Sequence, residues 1–132
     1  MIRALDISGS ALAAQRVRLD VISGNIANAE VTRQADGTPG PYRRRFATFM
    51  TGDGRGGPGV HVDAIARDAS PFREKYDPGH PDADARGYVQ LPNVNLTMEY
   101  ADGLIASRAY EANAAMLSMT RTMLQQAIRL FA

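Results

Sequence analysis

Proline placement constrains this chain more than any other feature of its sequence. All seven prolines lie between Pro39 and Pro92, and nine of the twelve glycines lie within residues 37–87. Proline has no N–H and its ring clashes with the preceding turn, so it is excluded from helix interiors. The two ends of the chain are therefore free to be helical, whereas the middle is not. We predict an α+β protein that forms one structural unit: an N-terminal assembly helix within residues 1–31, a central β-rich region over 32–92 and a C-terminal assembly helix within 93–132.

The composition indicates one modest domain and excludes several kinds of function. The chain has 132 residues, no cysteine and a formal net charge of +1. It therefore predicts neither disulfides nor thiolate zinc sites, and no electrostatic affinity for nucleic acid. The sequence has no apolar run of about 18 residues, so it does not predict a membrane-spanning helix. The N-terminus lacks the apolar core of a secretory signal, so we expect any export to proceed without cleavage of such a signal.

The N-terminal segment has an apolar repeat of seven residues, which predicts a helix over about residues 4–30. The repeat consists of Leu5, Leu12, Leu19 and Ile26, with Ile22 beside it. Candidate N-caps near its start are Asp6, Ser8 and Ser10. The pattern ends in an unusual stretch, residues 22–32 (ISGNIANAEVT), in which Gly24, Asn25 and Asn28 interrupt the helical composition.

The C-terminal segment has two adjacent apolar stripes, which predict a helix over about residues 96–131. The first has the spacing of a coiled-coil seam and consists of Ile105, Ala109, Ala112, Met116, Met119, Met123 and Leu130. The second consists of Tyr110, Leu117, Leu124 and Phe131. A hairpin with the N-terminal helix buries only one stripe. The other predicts self-association or a partner protein, unless the central region folds back over it.

The central region predicts short strands over residues 42–50, 59–67 and 87–94. The first strand would place Tyr42, Phe46 and Met50 on one face. A glycine-rich turn or flexible loop, residues 51–59, joins the first two strands.

No catalytic, cofactor-binding or metal-binding residues are predicted. The segment DPGHPDAD, residues 77–84, holds carboxylates and a histidine, but its prolines and glycine favour rigid turns in which Asp side chains bond to backbone N–H groups. The consecutive residues Arg43, Arg44 and Arg45 alternate in direction on a strand, so a solvated edge or a salt bridge to a neighbouring subunit is favoured over phosphate binding. Neither a G-x-S-x-G elbow nor a phosphate loop is present.

Three segments of this sequence resemble one family. Residues 8–32 (SGSALAAQRVRLDVISGNIANAEVT) and 107–130 (SRAYEANAAMLSMTRTMLQQAIRL) resemble the terminal signatures of the bacterial flagellar rod, hook and hook-associated axial proteins. Residues 76–95 (YDPGHPDADARGYVQLPNVN) resemble a narrower subgroup, the rod protein C family of the proximal rod. The family pattern usually has two adjacent asparagines before IANA, and here the first is Gly24.

The resemblance implies a structural subunit of the proximal rod of the flagellar basal body, which spans the periplasm. Its partners would be other rod proteins, further copies of itself and the flagellar type III export apparatus, with no cofactor. A soluble cytoplasmic coiled-coil adaptor or export chaperone is the alternative. The implied assembly interface comprises Leu5, Leu12, Leu19, Ile22, Asn25, Ile26, Asn28, Ile105, Ala109, Tyr110, Asn113, Met116, Leu117, Met119, Met123, Leu124 and Leu130.

The three asparagines in that set have two interpretations. Chemistry alone favours Asn28 as a C-terminal helix cap in left-handed geometry. In a helical assembly, Asn25, Asn28 and Asn113 would instead hydrogen-bond between subunits.

Overall fold

The two ends of the chain form long helices. The computed structural model describes residues 2–132, with α1 over Ile2–Ala27 and α2 over Leu96–Phe131. The bounds of α2 agree with the prediction, and the Asn95 side chain caps its N-terminus. α1 begins earlier than predicted. It also ends earlier, where Asn28 bonds through its backbone N–H and its side chain to the carbonyl of Gly24 and closes the last turn. The N-cap candidates at positions 6, 8 and 10 were wrong, since they lie inside α1.

The helices pair side by side in opposite directions. Asn25 near the end of α1 bonds to Glu99 in the first turn of α2, and Arg18 lies 4.0 Å from Asp102. α1 has 26 residues and α2 has 36. From the Asn25–Glu99 contact, α2 runs on past the first residue of α1 by about 13 Å at 1.5 Å per residue. Its last residues there, including Phe131, are exposed.

The first hairpin of the central region lies along α1. β1 (Arg45–Thr51) and β2 (Val60–Arg67) are antiparallel, and the register shifts between Thr48 and Phe49. The base of the hairpin contacts α1 near residue 25, whereas its tip contacts residue 10. Tyr42 lies outside the strand, contrary to the prediction, because its backbone N–H donates to the Val31 carbonyl rather than to β2. Its hydroxyl donates to Asn25.

The loop at the tip of this hairpin is a compact turn. Asp53 Oδ1 accepts bonds from the backbone N–H groups of Arg55 and Gly57, both at 2.8 Å. Gly59 has φ +123°, and a Cβ there would lie 2.4 Å from Ser10 Oγ. The glycine therefore lets the hairpin approach α1 closely enough for the Val60 N–H to bond to Ser10.

A second hairpin carries the loop of residues 77–87. Its strands are β3 (Arg73–Tyr76) and β4 (Tyr88–Leu91), paired antiparallel. β4 was predicted to be longer, but Pro92 follows it and cannot donate to a ladder. β3 was not predicted, because all four of its residues are exposed and no apolar alternation marks it.

The core is small for the length of the chain. The buried apolar residues are Ala14, Ile22, Ala29, Val89, Val94 and Ala106, and much larger side chains remain exposed. The chain has an accessible surface of 9097 Å², whereas a compact monomer of 14.3 kDa exposes about 6,800 Å². The excess, roughly 2,300 Å², measures how elongated the unit is. Within residues 2–132, no helix is long and apolar enough to cross a membrane.

Candidate assembly interface

The stripe of α2 that packs on α1 is not the one predicted as the coiled-coil seam. The residues of α2 on the α1 side are Glu99, Gly103, Ala106, Asn113, Leu117, Thr120 and Leu124, which we call the inner stripe; all are buried or half-buried. A Cβ on Gly103 would lie 3.6 Å from Ile22 of α1. Of the second apolar series, Leu117 and Leu124 lie on this half-buried side, whereas Tyr110 and Phe131 are exposed.

The predicted seam lies on the neighbouring, outward-facing side of α2. We call this seam, together with Met98, the outer stripe: Met98, Ile105, Ala109, Ala112, Met116, Met119, Met123 and Leu130. All of these residues are exposed except Ala109, which is half-buried. The exposed fraction is 57% for Ile105 and 61% for Met119. Such a continuous apolar face on one helix is typical of a protein contact surface.

The remaining interface candidates divide between the two helices. On α1, the heptad residues Leu5, Leu12, Leu19 and Ile26 are all half-buried, whereas Ile22 is buried. On α2, Tyr110 is exposed. The α1 repeat therefore keeps part of its surface free.

The asparagines of the interface set make their bonds within the chain. Asn28 donates to the carbonyl of Gly24, and Asn113 donates in the same i to i−4 pattern to Ala109, at 2.7 and 2.8 Å. The αL geometry expected for Asn28 is absent, since no non-glycine residue among those described has positive φ. Both side chains thus satisfy helix carbonyls.

Asn25 occupies the centre of a buried polar cluster. Its Nδ2 donates to the Arg45 carbonyl at 2.7 Å and to Glu99 Oε2 at 3.2 Å. Its Oδ1 accepts from the Arg45 N–H at 3.0 Å and the Tyr42 hydroxyl at 2.9 Å. All four hydrogen-bonding positions are filled and the residue is 0% exposed, so we leave Asn25 out of the interface that we propose below.

Glu99 and Arg44 complete this cluster, and we call Asn25, Arg44 and Glu99 the polar hub. Glu99 is also 0% exposed, and its Oε1 accepts from Arg44 Nε. Arg44 further contacts Asp68 at 3.3 Å and Asp102 at 3.7 Å. Burial acts to lower the pKa of the Arg44 guanidinium, but its bonds to Glu99 and Asp68 outweigh that effect and the pKa lies above its ordinary value.

The hub connects α1, the segment that leads into β1, and α2, and sequence reasoning missed two of its members. Arg44 was expected at a solvated edge or in a salt bridge to another subunit, yet it pairs with carboxylates of its own chain. A glutamate in the first turn of a helix is ordinarily explained by the helix dipole, which hides the burial of Glu99. The only local signal was Asn25, a polar residue on an apolar helix face.

The loop of residues 77–87 has the predicted turn chemistry. Asp84 Oδ1 accepts from the backbone N–H groups of Arg86 and Tyr88, each at 2.9 Å. Asp82 accepts from Thr32 and pairs with Arg33 at 2.7 Å. These bonds lower the pKa of both carboxyl groups. No group of three or more His, Asp or Glu side chains within residues 2–132 is arranged to hold a metal ion.

Comparisons with known proteins agree with the resemblance. A family model described as "Flagella basal body rod protein" matches residues 5–33, and one described as "Flagellar basal body rod FlgEFG protein C-terminal" matches residues 85–130. These ranges cover most of α1 and α2.

Several curated relatives align over nearly the whole chain, and each is a flagellar basal-body rod protein FlgC. Those of Borreliella burgdorferi and Bacillus subtilis are both 42% identical, over 94% and 96% of this chain and 93% and 95% of the relative. That of Salmonella typhimurium is 38% identical over 98% of this chain and 97% of the relative. With two long terminal helices around a small β region, the chain belongs to the flagellar basal-body rod protein FlgC family.

Proposed function

We propose that this chain is a structural subunit of the flagellar basal-body rod and works by assembly, without chemical turnover. The observation that carries the proposal is the exposed outer stripe, because a continuous apolar face on a monomer is typical of a surface that a protein partner covers. The elongated unit exposes 9097 Å², whereas one partner buries only about 800 Å² in a standard interface. One subunit therefore has surface for contacts with more than one neighbour.

The proposed partners are other rod proteins and further copies of this chain, with the outer stripe and the free sides of Leu5, Leu12, Leu19 and Ile26 as contact surfaces. The methionines suit this role, because flexible thioether side chains adapt to neighbours of different shape. The chain would reach its site in the periplasm through the flagellar type III export apparatus, without cleavage of a signal. Torque would then pass through it mechanically.

Electron microscopy of basal bodies tests the proposal directly. Cells that lack this gene should have no rod or hook but should retain the membrane ring, and complementation should restore both. Complete flagella in the deletion strain would refute the rod function. The alternative, a cytoplasmic adaptor or export chaperone, predicts that the protein is absent from detergent-resistant basal bodies, whereas a rod subunit should be recovered in them.

A charge on the outer stripe tests the contact surface. Met119→Glu should abolish motility in complemented cells while the purified chain stays helical, because a carboxylate would be buried without a partner in the assembly. Gln125→Glu is the matched control: it adds the same charge at an exposed position of α2 outside either stripe. Normal motility with Met119→Glu would remove the outer stripe from the assembly contact.

A further inference from the structure

The inner and outer stripes of α2 differ by a single residue step. Six of the eight outer positions directly precede an inner one: Met98 and Glu99, Ile105 and Ala106, Ala112 and Asn113, Met116 and Leu117, Met119 and Thr120, and Met123 and Leu124. One residue corresponds to about 100° of rotation at 3.6 residues per turn. A turn of α2 about its own axis by that angle would bring the outer stripe onto α1 and move the inner stripe away from it.

Apolar burial alone favours the rotated arrangement, in which the outer stripe packs on α1. The inner stripe contains three polar side chains, Glu99, Asn113 and Thr120, where the outer stripe has two methionines and an alanine. Hydrophobic burial is non-directional and scales with apolar area. Something other than apolar area must therefore keep the outer stripe off α1.

We propose that the polar hub sets the rotation of α2 and so keeps the outer stripe free; the assembly role of that stripe rests on the proposed function. Glu99 is the inner-stripe residue nearest the start of α2, and its two carboxylate oxygens bond to different parts of the fold, Asn25 of α1 and Arg44, the residue before β1. Rotation by one residue step would replace this carboxylate with Met98 and leave the buried Nδ2 of Asn25 without it. A buried polar group that must meet its partner is a known means of fixing helix register.

Small residues next to the hub favour the same rotation of α2. Gly103 and Ala106 follow Glu99 on the inner stripe, and Ala106 is 0% exposed. After the rotation, the larger Ile105 would have to fit in the fully buried place of Ala106. Steric fit near the hub and the ion pair in it therefore act together, and Glu99 is a positioning residue for the assembly face.

Single-cysteine reporters test this because the chain has no cysteine of its own. Met119→Cys reports the outer stripe, where position 119 is 61% exposed, and Thr120→Cys reports the inner stripe, where position 120 is 5% exposed. Maleimide labelling of the purified monomer, at dilutions checked by sedimentation, should be at least tenfold faster at 119 than at 120. In a Glu99→Leu background this ratio should fall at least tenfold, as 119 becomes protected and 120 exposed.

The rate at position 119 separates rotation from loss of stability. Rotation should slow labelling at 119 while it speeds labelling at 120, whereas unfolding would speed labelling at both positions. Glu111→Leu is the matched control, since it places leucine at an exposed glutamate of the same helix and should leave the ratio unchanged. Glu99→Gln keeps the size of the side chain and removes the charge that pairs with Arg44, so it should lower the ratio at least threefold. An unchanged ratio in folded Glu99→Leu, or in Glu99→Gln if the leucine variant has no helical circular dichroism, would overturn the proposal.

This outcome is independent of the rod function. An unchanged ratio would leave the basal-body result standing. Intact rods in the deletion strain would refute the proposed function without altering which stripe faces α1.

Discussion

Replacing Asn25 with alanine should destabilise the monomer far more than the same change at Asn28. Asn25 is fully buried and makes four bonds, three to neutral groups and one to the Glu99 carboxylate. A neutral hydrogen bond contributes about 1 kcal/mol and one to a charged group about 1.5–3 kcal/mol. Water entering the space recovers part of this sum, so we expect the free energy of unfolding to fall by about 4 kcal/mol.

Asn28 is the matched control because it belongs to the same segment and is the same residue type. It is half-buried and its side chain bonds only to the Gly24 carbonyl, so Asn28→Ala should cost about 1 kcal/mol. Urea titration followed by circular dichroism at 222 nm measures both. With a slope of about 1.5 kcal/mol/M, the midpoint should fall by roughly 2.5 M for Asn25→Ala and by less than 1 M for Asn28→Ala.

Equal midpoints for the two variants would refute the reasoning, because they would mean that the four bonds of Asn25 contribute no more than one helix cap. An Asn25→Ala variant that is already unfolded without urea would agree with the reasoning, since domains of this size have only about 5–15 kcal/mol of stability.

Three further predictions concern turns, helix propensity and pH. Gly59→Ala should destabilise the chain by about 3 kcal/mol in urea titration, because positive φ strains a side chain and the Val60–Ser10 bond is lost. Gly54→Ala carries the φ strain alone and should cost about half as much. Equal costs would contradict the close approach of the hairpin to α1. Gly24→Ala should raise the free energy of unfolding by about 0.8 kcal/mol, because nothing lies within 4 Å of the added Cβ; a lower midpoint would show that glycine is needed there. Hydrogen bonds from Ser70, and then from Arg44, hold the pKa of Asp68 below its ordinary value. The ionised carboxylate therefore stabilises the fold above about pH 4, and this effect is lost as pH falls through the folded-state pKa. Calorimetry should show a melting temperature that falls below pH 4, and that falls less steeply in Asp68→Asn.

The helices and the α+β class could be predicted because proline placement and helical periodicity are local properties of the sequence. The end of α2 at Phe131 and its start at Leu96 follow from the Asn95 cap and the run of apolar repeats. The strand at Arg73–Tyr76 could not be predicted, because its residues are held by pairing with β4 rather than by burial.

The choice between the two stripes of α2 was also beyond local reasoning. Both stripes have helical spacing, and the first has that of a coiled-coil seam. The contact that favours the other comes from Arg44, 55 residues before Glu99 in sequence, and from the complete burial of Ala106. Periodicity shows that a face is apolar but cannot tell which partner meets it.

The separation of the two helices in sequence also affects when the chain can fold. The bond between Asn25 and Glu99 joins residues 74 positions apart, and an isolated helix is only marginally stable in water. During synthesis from the N-terminus, at about 5–20 residues per second, α1 must wait roughly 4–15 s for its partner to be made. The two helices therefore cannot pair until the last third of the chain, which contains α2, is being made.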